Sequence, residues 1–218
     1  MFDFSVVLKF RHLLLEGIGV TTQLTILGLG GGIVLGLFVS LLRMSKWQLL
    51  RLPAYQFIEI FRNIPELVQL LWIYIVLPYF FEINLKPYFA ALIFLWLNGS
   101  AYAAEIFRAG ILAVDKGQQE AARALGMSNW VKLKVVILPQ ATRYMIPMFV
   151  NESVRLLKTT SLVSVIAVPD VLYQASNLAA TTFLPLEFYT VVGIIYFFLI
   201  TPVAVVMVWI QKRLESKN

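Results

Sequence analysis

From Gly19 to Leu42 not one side chain carries a charge, and no other feature constrains the fold as tightly. About 20 consecutive apolar residues form an α-helix long enough to cross the hydrocarbon core of a bilayer. The run is too long for a signal-peptide core and lacks a basic start followed by a cleavage-like tail, so it is expected to be retained. Four more segments suit a crossing. Residues 57–81 open polar, from Glu59 to Glu66, and become strongly apolar from Leu67 to Leu77. Residues 87–107 follow, then 144–168, which are apolar at both ends and charged in the middle, then 188–210, where Pro202 predicts a kink. Composition agrees. Hydrophobic residues make up 60% of the chain and charged residues 14%, against roughly 25% charged in soluble domains. A soluble protein of 218 residues has too much exterior for this composition and a mean hydropathy of +0.80. A soluble enzyme, a nucleic-acid-binding module and a disordered tail are thereby excluded. There is no cysteine, so no disulfide, thiolate metal site or cysteine nucleophile is expected, and a single histidine, His12, leaves no multi-histidine metal site.

The expected fold is therefore all-α and integral to a membrane, a single transmembrane domain over 1–218 with five spans. Lysine and arginine orient it, because they concentrate on the cytoplasmic side. With the N-terminus outside, the inner segments are 43–51, 108–143 and 211–218, and these hold twelve of the eighteen basic residues. The outer segments hold only Lys9, Arg11 and Lys86, while Arg62, Arg155 and Lys158 lie within spans. The net charge of +6 thus reads as a side label rather than as a nucleic-acid surface. The C-terminus is expected in the cytoplasm. Residues 169–187 are too polar to cross and predict an outer helix or loop. No internal repeat or low-complexity stretch is visible.

In the first span Gly28, Gly32, Gly36 and Ser40 recur every fourth residue. They make a helix face with almost no side chain, which another helix of this chain or of a partner can approach closely. No phosphate-binding loop is implied, because no glycine-rich turn followed by Lys and Ser/Thr occurs.

The inner loop at 108–143 carries the most specific signal. Gln118 to Leu125 are good helix formers, Gly126 is a natural C-cap, and Ser128 or Asn129 suits the start of a second helix, expected to end before Pro139. Ala121 and Ala122 keep one side of the first helix slim, and Leu125 and Met127 give it an apolar tip. Such a helix either inserts into a groove on a soluble partner or packs back on the bundle.

The ordered set Glu120-Ala121-Ala122, Gly126 and Ile137-Leu138-Pro139 resembles the EAA loop of ABC importer permeases. Phe61-Arg62-Asn63-Ile64-Pro65-Glu66-Leu67-Val68-Gln69, Glu105-Ile106-Phe107-Arg108-Ala109-Gly110 and Lys158-Thr159-Thr160-Ser161-Leu162 resemble elements of the polar amino acid uptake subfamily, the histidine, glutamine and glutamate type. The resemblance runs from about residue 20 to the end. It implies a bacterial cytoplasmic (inner) membrane permease that pairs with a second copy or a paralogue. It implies two cytoplasmic ATP-binding subunits, which bind the ATP and Mg, and an extracytoplasmic amino acid binding protein. By the same resemblance Glu120, Ala121, Ala122, Leu125 and Gly126 form the helix that couples to the ATPase. The chain itself needs no cofactor and catalyses nothing. Three positions depart from the subfamily pattern: Ile64 and Glu66 stand for its usual Thr and Leu, and Thr159 for its usual Asp. The resemblance therefore does not fix the amino acid.

A charge at the centre of a membrane helix costs roughly 2.5–3.5 kcal/mol on insertion scales, so Glu152, Arg155 and Lys158 in the fourth span require an explanation. At about 100° per residue Asn151, Arg155 and Lys158 fall in one stripe, flanked by Glu152 and Thr159. Glu152 and Arg155 have the spacing to pair. The stripe must face a polar cavity or another subunit. One reading is a substrate path. A cation, Arg155 or Lys158, meets the carboxylate of a zwitterion, and an acceptor, Glu152 or Glu66, meets its ammonium. Thr160 and Ser161 add hydroxyls, and Asn63 and Asn151 add amides. The other reading is a salt-bridge cluster that locks the dimer. Glu66 either joins this cavity or pairs with Arg62; Glu105 is expected to pair with Arg108. The balance of charges leans to an acidic or amide amino acid. An ion-coupled secondary transporter or channel is the alternative function; it is opposed by the odd number of spans and the absence of an inverted repeat. An intramembrane enzyme is opposed by the lack of His-Glu-x-x-His and Gly-x-Ser-x-Gly motifs.

Overall fold

The computed structural model describes residues 4–215, with side chains through Ile210. Of the C-terminal basic residues in the charge tally, Lys217 lies outside the described residues, as do the side chains of Lys212 and Arg213. Every regular element among the described residues is helical, with no strand. A short α1 (Ser5–Lys9) leads into α2 (Arg11–Arg43), which is longer at its start than the apolar run alone predicts. Then come α3 (Gln48–Asn63), α4 (Glu66–Leu71) and α5 (Leu77–Phe81), and α6 (Pro87–Leu112). The chain continues with α7 (Lys116–Ala124), α8 (Asn129–Lys132), α9 (Leu138–Thr159), α10 (Val171–Thr182) and α11 (Pro185–Glu215).

By length and composition α2, α6 and α11 can each cross a membrane, and two bent pairs raise the number to five at most. The first pair corrects the expectation for residues 57–81. They do not form one helix: α3 and the 66–81 segment meet at 112°. The cause is local. A residue before proline is pushed out of the helical region, and Ile64 sits at φ −83, ψ 137 ahead of Pro65. The second pair bends by 46° where a 3₁₀ turn, Thr160–Ile166, gives way to α10. This turn ends at Ala167 in the left-handed conformation, so the expected 144–168 span closes as a tightened helix rather than an α-helix.

Pro139, expected to end a helix, does not, and Pro78 is accommodated in the same way. A π turn at Leu133–Ile137 joins α8 to α9 just before Pro139, and another at Trp72–Val76 joins α4 to α5 just before Pro78. A proline removes one backbone donor and crowds the carbonyl four residues earlier. In both cases that carbonyl belongs to the widened turn, which accommodates it. The second loop helix therefore does not stop before Pro139 but continues into α9. Pro202 likewise sits inside a continuous α11.

The small-residue stripe finds its partner in this chain. Gly28, Gly32, Gly36 and Ser40 are all buried, and α2 lies along α6. A Cβ at Gly32 would come 3.2 Å from the Gly99 carbonyl carbon, and one at Gly36 2.9 Å from the Ser100 carbonyl oxygen. Backbone thus approaches backbone, as small-residue helix faces allow. The main core joins Leu24 of α2, Leu70, Ala91, Phe94, Leu95, Leu156 of α9 and Val163. A second core seats α10 and α11 on the start of α2 through Leu14, Val171, Ala175, Leu178 and Phe188. Within residues 169–187 the chain forms the packed helix α10 (Val171–Thr182), capped by Asp170, whose Oδ1 accepts from the Tyr173 N–H at 2.8 Å, and then enters α11. The outer face of α11 is apolar and exposed, at Phe197, Phe198, Val205, Val206 and Trp209.

Candidate functional site

The break at Pro65 frees backbone carbonyls at the end of α3, and in an apolar setting these need donors. Gln69, one turn into the next helix, supplies them: its Nε2 donates to the Phe61 carbonyl at 2.9 Å and to the Ile64 carbonyl at 2.7 Å. Its Oε1 accepts from Asn98 Nδ2 at 3.1 Å. Asn98 lies on α6 and is fully buried. Its Oδ1 accepts in turn from Arg155 Nη2 at 2.9 Å. The helix break is thus wired to the charged middle of α9.

Arg155 is the hub. Its Nε and Nη2 donate to Glu152 at 2.8 and 2.6 Å in a fork, and Nη1 donates to Glu66 across the bundle. Thr159 Oγ1 donates to the other oxygen of Glu66 at 2.9 Å. The guanidinium stacks on Tyr102, with Cζ 3.8 Å from the ring centroid. With Nη1 also 3.5 Å from Thr159 Oγ1, each nitrogen of the guanidinium faces an acceptor. Two carboxylates against one guanidinium leave the group with a formal charge of −1. The side chains of Glu66 and Arg155 remain 27% and 25% exposed while Glu152 is 5% exposed. Glu152 is the sealed base of the cluster, and Glu66 with Arg155 is its open edge.

Of the residues singled out for a substrate path, the structure brings Glu66, Glu152 and Arg155 together. Glu66 pairs with Arg155, and Arg62 stands instead over Tyr102 at 5.7 Å. The other five do not join the cluster. Asn63 donates to Glu59 at 2.9 Å, and Asn151, one turn before Arg155 on α9, is exposed. Thr160 and Ser161 return their hydroxyls to the Leu157 and Lys158 carbonyls. Lys158 is exposed in a groove of about 650 Å³ against Phe197, Ile200, Thr201 and Ala204 of α11. The cluster adds Asn98, Gln69, Tyr102 and Thr159. Asn98 interrupts the apolar 87–107 segment with an amide, and Gln69 lies within the singled-out stretch 61–69; Tyr102 carries no such signal. Glu105 pairs with Arg108 at 2.6 Å, as its spacing predicts.

The second feature is α7. Asp115 caps its start, accepting from the Gly117 N–H at 2.7 Å. Its end is a Schellman closure. The Met127 N–H donates to the Ala122 carbonyl and the Gly126 N–H to that of Arg123, with Gly126 at φ +72. Ser128 then caps α8. Ala122 is buried against the chain, while Glu120, Ala121, Leu125 and Gly126 are exposed, Leu125 by 76%. Trp130 stands beside them 69% exposed. The helix is fixed by one slim side and offers the other. Among the described residues no group of His, Asp and Glu has the arrangement of a metal site.

Comparison with known proteins agrees over the whole chain. Residues 32–217 match the family described as binding-protein-dependent transport system inner membrane component. The glutamine transport system permease protein GlnP of Escherichia coli (strain K12) is 36% identical over 217 residues, covering 99% of this chain and 97% of GlnP. The arginine transport system permease protein ArtQ of Bacillus subtilis (strain 168) is 34% identical over 216 residues, 99% of each chain. Among solved structures, a chain of the crystal structure of an amino acid ABC transporter with histidines superposes with a TM-score of 0.93 at 38% identity, covering 98% of this chain and 99% of that one. The chain belongs to the family of binding-protein-dependent transport system inner membrane components, as an ABC permease of the amino acid kind.

Proposed function

We propose that this chain is the transmembrane subunit of an ATP-driven importer that moves a polar amino acid from an external binding protein into the cytoplasm. The observation that carries the reading is the Glu66–Arg155–Glu152 cluster at the break between α3 and α4. It is charged and part-open, and it is linked by hydrogen bonds to three helices of an otherwise apolar bundle. Charge inside a membrane protein marks a substrate or ion path. The open edge offers a zwitterion both an acceptor, Glu66, and a donor, Arg155. Because Arg155 already faces two carboxylates, the reading favours a neutral or cationic side chain, which moves the lean away from acidic amino acids and leaves amides within it. The N-terminus lies outside and five spans cross a bacterial cytoplasmic membrane. The α7 face docks in one of two cytoplasmic ATP-binding subunits, which hold ATP and Mg. The exposed apolar face of α11 is covered by lipid or by a second permease, a copy or a paralogue. Uptake of labelled amino acid in cells carrying Glu66→Gln tests the site. Uptake is expected to fall at least about tenfold, the loss of one charged hydrogen bond, with membrane level unchanged; full uptake would overturn the site.

A further inference from the structure

Where α2 ends and α3 begins, two guanidinium groups face one pocket without an acid. Arg43 in the last turn of α2 and Arg51 in the first turns of α3 line it, with Leu52 and Tyr55, around a volume of about 210 Å³. The Arg43 guanidinium stacks on Tyr55, with Cζ 4.3 Å from the ring centroid, and its Nε is buried without a hydrogen-bond partner. No ion pair reaches either arginine among the described residues. The turn between them adds an exposed Lys46 and a Trp47 that is 72% exposed, and Leu49 and Leu52 are exposed on α3. A tryptophan beside basic residues at the end of an apolar helix marks the level of lipid headgroups. Arg43 also opposes the negative end of the α2 dipole. That role needs one cation and leaves Arg51 and the orphaned Nε of Arg43 unexplained.

We propose that Arg43 and Arg51 form a headgroup site for an acidic phospholipid. The phosphodiester lies between the two guanidinium forks, which suit phosphate geometry better than an ammonium does. The glycerol end rests on Leu52, and the acyl chains follow the exposed leucines of α3. Basic pockets between helices at a membrane boundary bind headgroups in this way. The inference requires α2 to end at a membrane boundary and is independent of which side that is and of the substrate reading.

The test uses the full chain purified with its co-expressed subunits in neutral detergent. Phosphatidylglycerol, phosphatidylcholine and inorganic phosphate are each titrated, with bound lipid counted by native mass spectrometry. Phosphatidylglycerol is expected to bind in preference to phosphatidylcholine. Arg51→Gln, and separately Arg43→Gln, should weaken it about tenfold each, the loss of one charge-assisted contact. Lys9→Gln with Arg11→Gln, at the other end of α2, should leave it unchanged. Arg51 is exposed and carries no partner among the described residues, so its variant keeps the test valid where Arg43→Gln fails to fold. Equal binding of the two lipids overturns the proposal, as does full affinity in Arg51→Gln. Inorganic phosphate that displaces the lipid at equal concentration would assign the site to a soluble anion instead.

Discussion

Arg155 balances Glu152 in a buried fork and reaches Glu66 at the open edge. The two partners should therefore respond differently to substitution. Arg155→Gln leaves two carboxylates facing each other in an apolar bundle, and removing one partner of a buried pair costs about 3–5 kcal/mol. The expected outcome is a marked fall in the unfolding midpoint of the purified protein, partly recovered in the Glu152→Gln/Arg155→Gln double variant. An Arg155→Gln protein as stable as wild type would mean that the cluster is hydrated and not structural. Glu66→Gln keeps shape and removes one charge at a quarter-exposed position, so its effect should fall on transport rather than stability. The charges themselves were legible in the sequence, because ionisable residues in apolar runs are costly. Their pairing was not: Glu66 and Arg155 are 89 residues apart, and the link exists only once α4 and α9 are packed. Nothing about a lone tyrosine distinguished Tyr102 from any other aromatic on α6.

At the scale of elements, α7 shows how local signals decide a boundary. Gly126 and Ser128 each act within three residues of themselves, and for that reason the turn was readable, whereas the equally local cap at Asp115 was not singled out and the helix starts two residues before Gln118. Gly126→Val places a β-branched side chain at φ +72, at a cost of about 1–2 kcal/mol. Co-purified ATP-binding subunits should then show less hydrolysis stimulated by the loaded binding protein, while membrane level holds. Unchanged stimulation would detach the α7 turn from coupling. Glu120→Lys, which reverses a charge on the exposed face, should act in the same direction without touching the fold. On α2, Gly32→Leu forces a side chain against the Gly99 backbone. Overpacking of this kind costs about 1–3 kcal/mol, to be read as a lowered unfolding midpoint. The two π turns were not legible. A proline is a local signal for a helix end, whereas the widened turns that absorb Pro78 and Pro139 depend on helices already held by packing.

Across the whole molecule, α2, α6 and α9 form the packed frame, and α11 presents an apolar surface that this chain leaves open. Among the described residues three helices are long and apolar enough to cross a membrane, and two bent pairs bring the number to five at most. The 112° bend places Glu66 at the start of a helix, within reach of Arg155 on α9, instead of in the middle of a straight span. The α7 turn runs on through α8 and the π turn into α9, the helix that carries Glu152 and Arg155, so in the proposed importer a push on α7 from an ATP-binding subunit would reach the cluster through continuous helix. The most direct measurement is amino acid accumulation by the assembled transporter in proteoliposomes without any ion gradient, with loaded binding protein inside or outside as its orientation requires. Accumulation is expected only when ATP is present on the α7 side, and is expected to be lost in Glu66→Gln with the ATP-binding subunits still attached. Accumulation driven by an ion gradient in the absence of ATP would contradict this expectation.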